Sequence, residues 1–239
     1  PHGFRPVADT KFSPDRGFYD HPIDVVITSA TVEAQIYYTV DGGEPTPASL
    51  PYEGPIPVTR TTTIRARAYK TGFRETDVDA HTYILMDTNA ADPNGVNTVL
   101  TQTKPADYPA MPTLPNASQP PGDYDMDPDI SQSPTYQARL LPGLQEIPTV
   151  SIAMDRDDFI GATDGFYSHP SQRGIAWERV CSAELLTADV EGTWQVNCGI
   201  RVQGGASRNN SAKHALSFRF RDIYGPGKLR EDIFPESEV

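Results

Sequence analysis

TTTIRARAY, residues 61–69, sets Ile64, Ala66 and Ala68 on one side of the chain and Arg65, Arg67 and Tyr69 on the other. Strict alternation is the period of a half-buried β-strand, whereas an α-helix would spread the same side chains around its axis. The neighbouring sequence repeats the pattern. IDVVIT (23–28) and AQIYYTV (34–40) read as strands, the second closed by the hairpin-type turn Asp41-Gly42, and HTYIL (81–85) completes the set. From residue 11 to 85 each short run is bounded by turn residues and no helical period competes, which predicts an antiparallel sandwich.

The segments YYTVDGGEPTP, YEGPIPV, TTTIRARAYKTGFRETDV and HTYI resemble the small chitobiase/β-hexosaminidase C-terminal domain, also described as a fibronectin-type-III-associated module. The resemblance covers nearly all of residues 12–85. It implies an immunoglobulin-like β-sandwich appended to extracellular enzymes and surface proteins, here the domain of residues 1–86, and the turn-bounded runs followed by a proline-rich stretch predict that residues 12–85 fold independently. It does not imply glycosidase activity. Hydrolysis needs two carboxyl groups held across a cleft, and Asp41, Glu44, Glu53, Glu75, Asp77 and Asp79 sit among turn residues, where solvated acids are the plain expectation. Tyr37, Tyr38, Tyr52 and Tyr69 are candidates for a sugar-stacking platform, with packing of the sandwich as the competing use.

After residue 86 the composition changes. Residues 87–146 hold ten of the 23 prolines and carry 2 basic against 8 acidic side chains, where residues 1–86 carry 8 and 11 and residues 147–239 carry 10 and 13. The middle is therefore expected to be an extended, acidic, Pro-rich linker. Within it PPGDYDMDPDI (120–130) places Asp123, Asp125, Asp127 and Asp129 at every second position, as at the start of a calcium loop, but without the glycine and distal glutamate of an EF-hand. Asp123, Asp125 and Asp127 are candidate metal ligands, and a solvated acidic linker is the alternative. Residues 133–148 offer a short helix with Ser133 as N-cap, Pro134 first and Gly143 after its end, docked by Leu140 and Leu144.

The final 93 residues return to strands: PTVSIAM, then a helical turn in DRDDFIG, then AWERVCSAELL (176–186) and TWQVNCGIRVQ (193–203). If the last two form a hairpin in which paired numbers sum to 379, Trp177, Cys181, Ala183 and Leu185 meet Val202, Cys198, Val196 and Trp194 on one face. Ser182, Glu184, Asn197, Arg201 and Gln203 then take the other. One register collects the apolar side chains, which is how a half-buried sheet fixes its pairing. It also sets Cys181 opposite Cys198, either as a disulfide in an oxidising compartment or as two reduced core thiols.

Following this hairpin, Gly204-Gly205 permits close backbone approach, and Ser207, Arg208 and Lys213 supply donors suited to phosphate; an ordinary turn with solvated cations is the alternative. The whole pattern, Gly199, Arg201, Gly204, Ser207, Arg208, Lys213, Phe218, Phe220, Tyr224, Gly225, Leu229 and Phe234, resembles the spore-coat-protein-H (CotH) kinase-like family. The resemblance implies an atypical α+β kinase fold that uses ATP and a divalent ion such as magnesium, with Gly204, Gly205, Ser207, Arg208 and Lys213 as nucleotide-binding residues. The acidic metal-holding and catalytic residues it implies are expected beyond Val239. Residues 147–239 are therefore expected to be the truncated, β-rich N-terminal lobe, with no catalytic residue of their own.

The expected fold class is thus mainly β: sandwich, linker, kinase-like lobe. A formal charge of −12 disfavours nucleic-acid phosphate, and no apolar run is long enough to span a bilayer. The chain opens at Pro1 without a leader pattern, so any signal peptide is expected upstream. Two functions follow as expectations. One is a secreted or cell-surface protein whose complete form phosphorylates extracellular protein; the other is a non-catalytic surface protein for adhesion, carbohydrate contact or display.

Overall fold

A computed structural model of the chain describes residues 5–86, 127–131, 133–188, 192–210 and 214–231. Asp123, Asp125, Lys213 and Phe234 lie outside these residues. The expected strand at residues 61–69 is β7 (Thr62–Tyr69), and its inward side chains Ile64, Ala66 and Ala68 are fully buried. Around it stand β1 (Thr10–Ser13), β2 (Gly17–Tyr19), β3 (Ile23–Ser29), β4 (Gln35–Thr39), β5 (Leu50–Pro51), β6 (Ile56–Val58) and β8 (Asp79–Leu85). They form two sheets, ordered β1-β3-β6 and β2-β8-β7-β4-β5, antiparallel throughout except for the parallel pair β2–β8. Val25, Ile27, Ile56 and Val58 from one sheet meet Ile64, Ala66 and Tyr83 from the other, which is the core of a two-layer sandwich.

Asp41-Gly42 does turn the chain, with Asp41 Oδ1 accepting from the Gly43 N–H at 3.0 Å. It does not close a tight hairpin. Tyr38 pairs with Leu50, so the β4–β5 connection is a long loop whose first turn is aimed elsewhere.

That loop reaches a third sheet, ordered β12-β11-β10-β9, from β9 (Thr149–Ala153), β10 (Arg179–Leu186), β11 (Trp194–Val202) and β12 (Leu216–Arg219). The β10–β11 register is the one read from the sequence, with Cys181 opposite Cys198, Ala183 opposite Val196 and Leu185 opposite Trp194. Trp177 departs from it, since a 3-10 turn (Ile175–Trp177) precedes β10, but its ring still packs against the same core. That core contains Cys181, Ala183, Val196, Cys198 and Ile200 with Ile160, Phe166 and Tyr167. The expected helical turn is α3 (Arg156–Ile160), capped by Asp155, whose carboxylate accepts from the N–H groups of Asp157 and Asp158.

Between β8 and β9 the described residues form α1 (Pro128–Ser131) and α2 (Pro134–Glu146). The expected stop at Gly143 is not observed: α2 runs through Pro142 and Gly143, and Ser133 at its N-cap position makes no side-chain cap bond. Leu144 in the last turn packs on Ile84, Met86 and Leu186, a burial that offsets the missing Pro142 donor. α4 (Ser207–Asn210) completes the elements, and no helix among the described residues is long and apolar enough to cross a membrane.

The sandwich lies against the third sheet, and the contact is polar at its centre. The expected solvent faces of β7 and β10–β11 meet there, so Arg65, Ser182 and Glu184 are buried rather than exposed. Arg65 donates to the Gly42 carbonyl at 2.6 Å and to Ser182 Oγ at 3.3 Å, and Asn197 Nδ2 donates to the Val78 carbonyl at 2.8 Å. Gly42 itself, at φ 86°, abuts the end of β9: a Cβ there would sit 2.3 Å from the Met154 carbonyl oxygen. Gly42→Ala is therefore expected to cost about 2 kcal/mol through strain and overpacking. Thermal melting checks it against Gly54→Ala, whose Cβ would meet nothing within 4 Å.

Candidate functional site

Two places carry the side chains singled out in the sequence: the turn after β11 and the outer face of the sandwich. The turn is tight, with Gly204 at φ 118° and its missing Cβ occupied by Ser207 Oγ, which would lie 2.6 Å away. Gly205 and Ser207 are exposed. Arg208 is not, at 5% exposure. Its Nε donates to the Gly204 carbonyl at 2.7 Å, Nη1 to the carbonyls of Pro170 and Gln172 at 3.0 and 2.7 Å, and Nη2 to that of Val202. The guanidinium thus ties the 170–172 loop to the end of β11, and its donors are spent on backbone. The expectation of Arg208 as a phosphate ligand is corrected accordingly: it faces inward.

Other residues of the same pattern meet on one face of β11. Tyr224 covers Gly199, where a Cβ would come 2.5 Å from the ring, and Gly225 lies against the Asn197 carbonyl. Arg201 reaches Glu178 at 3.3 Å, and Arg221 grips the same carboxylate at 2.9 and 3.1 Å. These hydrogen bonds hold the Glu178 carboxyl below its ordinary range. Phe218, Phe220 and Leu229 pack against the second core. Glu178 went unremarked in the sequence because a lone glutamate in an apolar strand has no periodic signature.

Cys181 and Cys198 face each other as expected, both fully buried as free thiols with Sγ atoms 3.6 Å apart. Of the candidate metal ligands only Asp127 is described. It is exposed and its carboxylate accepts from the Asp129 N–H at 2.9 Å, so there it starts α1.

On the sandwich, strand parity separates the four tyrosines. Tyr38 and Tyr52 pack against the core, the latter with its hydroxyl accepting from the Ile27 N–H at 3.0 Å. Tyr37 and Tyr69 point outward from β4 and β7, with ring centroids 5.7 Å apart at 74°. Their hydroxyls are anchored, Tyr37 to Gln35 Oε1 at 3.1 Å and Tyr69 to the Pro45 carbonyl at 2.8 Å, which leaves ring faces and edges for contact. With Phe73 they line an open groove of about 520 Å³ whose polar wall is Glu33, Gln35, Lys70 and Glu75. The same outer face is thus divided in two: its Arg65 end is buried against the third sheet, and its Tyr69 end is open.

The expected turn acids are mostly as read, since Asp41, Glu44, Glu53, Glu75 and Asp77 are exposed. Asp79 differs. It begins β8, accepts from the Thr10 hydroxyl, and is raised above its ordinary pKa by burial.

A comparison with curated proteins finds no match for the chain. Residues 14–80 match the family model described as chitobiase/beta-hexosaminidase C-terminal domain, a span that runs from before β2 to the start of β8 and contains the whole groove.

Proposed function

We propose that the chain is a non-catalytic part of an extracellular surface protein, and that its immunoglobulin-like sandwich contacts carbohydrate through the groove on β4 and β7. The observation that carries this reading is the outward Tyr37–Tyr69 pair, set with Phe73 in an open groove of about 520 Å³. Sugar rings present C–H faces that pack on aromatic rings, and hydroxyls that can donate to the glutamate carboxylates and accept from the Gln35 amide N–H groups. The volume falls in the range of small-molecule clefts. The likeness of residues 14–80 to a domain named for two carbohydrate-processing enzymes supports the same reading. Tyr69→Ala is expected to weaken oligosaccharide binding at least about tenfold, the loss of roughly 1.4 kcal/mol of ring contact, without unfolding the sandwich. Isothermal titration of parent and variant, with far-ultraviolet circular dichroism as the folding control, reads the result; equal affinity of the two proteins would exclude the groove.

A second reading keeps ATP-dependent phosphotransfer to extracellular protein for the complete protein, with a divalent ion supplied there. It is favoured by the exposed Gly205 and Ser207 at the turn after β11. In this reading Gly204, Gly205, Ser207 and Lys213 approach phosphate while Arg208 fixes the turn from behind. Resonance perturbation at Gly205 and Ser207 on adding ATP tests it.

A further inference from the structure

We propose that the groove selects cationic amino-sugar polymers over neutral glycans and excludes uronate-bearing ones, an inference that deepens the carbohydrate-contact reading and rests on it. Two carboxylates, Glu33 and Glu75, share the groove wall with one cation, Lys70. That cation is already committed. Lys70 Nζ donates to the Val32 carbonyl at 2.7 Å, stands 3.6 Å from Glu33 Oε2, and lies 5.3 Å from the Phe73 ring centroid. Arg67, the next cation along the outer face, is held by Glu44 at 2.8 Å. Glu75 has no counter-ion among the described residues, and the Glu33 side chain is 83% exposed. The charge left open to a ligand is negative.

The backbone fixes where that charge stands. Glu33 adopts φ 59°, the one positive φ at a non-glycine position among the described residues. Left-handed backbone disfavours an L-residue with a Cβ, and glycine or asparagine suits it better. Glu33 takes it as the third residue of the turn that the Ala34 N–H closes on the Thr31 carbonyl at 3.1 Å, and the turn carries its carboxylate to the rim of the groove.

An amino-sugar chain answers both features. Its rings pack on Tyr37 and Tyr69 while its ammonium groups pair with Glu33 and Glu75 and approach the ring faces. A uronate chain would set carboxylates beside the same two glutamates with no free cation to receive them.

The test titrates the full chain with glucosamine, N-acetylglucosamine and galacturonate oligomers of equal length, in mildly acid, low-salt buffer. The glucosamine oligomer is expected to bind about tenfold tighter than its acetylated counterpart, as two exposed ion pairs allow, and the advantage should shrink with added salt. The galacturonate oligomer should not bind. Glu33→Gln with Glu75→Gln should remove the preference, bringing the glucosamine and N-acetylglucosamine oligomers to equal affinity. Glu33→Gly should weaken the preference without lowering the melting midpoint, since its backbone conformation favours glycine. Equal affinity for the charged and acetylated oligomers, a preference that survives both glutamate changes, or tightest binding of galacturonate would overturn the charge selection while leaving carbohydrate contact intact. If none of the three binds, or if glucosamine binding is indifferent to Tyr69→Ala and so reflects adsorption to an acidic protein, the carbohydrate reading falls with it.

Discussion

Arg208→Ala is expected to destabilise the chain by about 4 kcal/mol, among the largest losses available to a single side chain. The arginine donates to four backbone carbonyls, those of Pro170, Gln172, Val202 and Gly204, in a site where it is 5% exposed. Truncation removes all four bonds and opens a void beneath the turn; those to Pro170 and Val202 are buried, and each buried acceptor left unmet costs about 1–3 kcal/mol before water enters. Arg208→Lys is expected to recover little, because one ammonium cannot span carbonyls spread over three segments as a planar fork does. Thermal and urea unfolding of parent and both variants measure the effect. A phosphate-binding arginine would behave in the opposite way: Arg208→Ala would spare the melting midpoint and remove only a ligand-induced shift. An unchanged midpoint would therefore return Arg208 to the phosphate role from which its geometry removes it.

The contrast shows where the sequence was informative and where it was silent. The register of β10 and β11 was legible because only one pairing gathers Cys181, Ala183 and Leu185 against Cys198, Val196 and Trp194, and a slip by one residue would invert every side chain. The strand at residues 61–69 was legible for the same reason. What alternation cannot reveal is which polar face stays wet. Arg65, Ser182, Glu184 and Asn197 all read as solvent-facing, yet the first three are buried and Asn197 is half-buried against one another's elements because their donors and acceptors match. Arginine is ambiguous in the same manner, since the donors that suit phosphate suit carbonyls equally. The groove lay half in view: parity along β4 separates Tyr37 from Tyr38, but nothing in the sequence marks the left-handed backbone of Glu33 or the commitment of Lys70 to the Val32 carbonyl.

The polar contact between the sandwich and the third sheet carries a pH dependence with two limbs. Glu184, at 0% exposure, receives the Thr82 N–H at 3.1 Å and the Thr82 hydroxyl, which in turn lies 2.7 Å from both Thr63 Oγ1 and Ser151 Oγ. Its cation is Arg16, at 3.2 Å. Arg16 Nη2 also donates to His81 Nε2 at 3.0 Å, and His81 Nδ1 faces Asp15 at 3.0 Å, so the imidazole is neutral and lies stacked on Phe12. Burial pushes Glu184 from 4.5 up to about 7, against the pull of Arg16, and burial together with the Arg16 charge pushes His81 from 6.5 down to about 3. The signs are opposite. Glu184 binds its proton more tightly in the folded chain, so its contribution is complete below about pH 4.5 and is lost as pH rises through about 7. His81 binds its proton more weakly when folded, so its contribution is complete above about pH 6.5 and is lost as pH falls toward about 3. Between about pH 4.5 and 6.5 the two slopes oppose each other, and the contact holds a plateau that falls away on both sides. Glu184→Gln keeps a hydrogen-bonding amide without the charge. It is expected to remove the alkaline limb and, above pH 8, to raise stability relative to the parent by about 3 kcal/mol, the equivalent of the Glu184 shift. His81→Gln should remove the acid limb alone. Urea unfolding across the pH range, taken as the difference between parent and each variant, isolates each group from the other carboxylates. A parent-minus-variant difference for Glu184→Gln that stays flat from pH 4 to 9 would mean that this carboxylate is solvated, and that the sandwich and the third sheet do not close over it in solution.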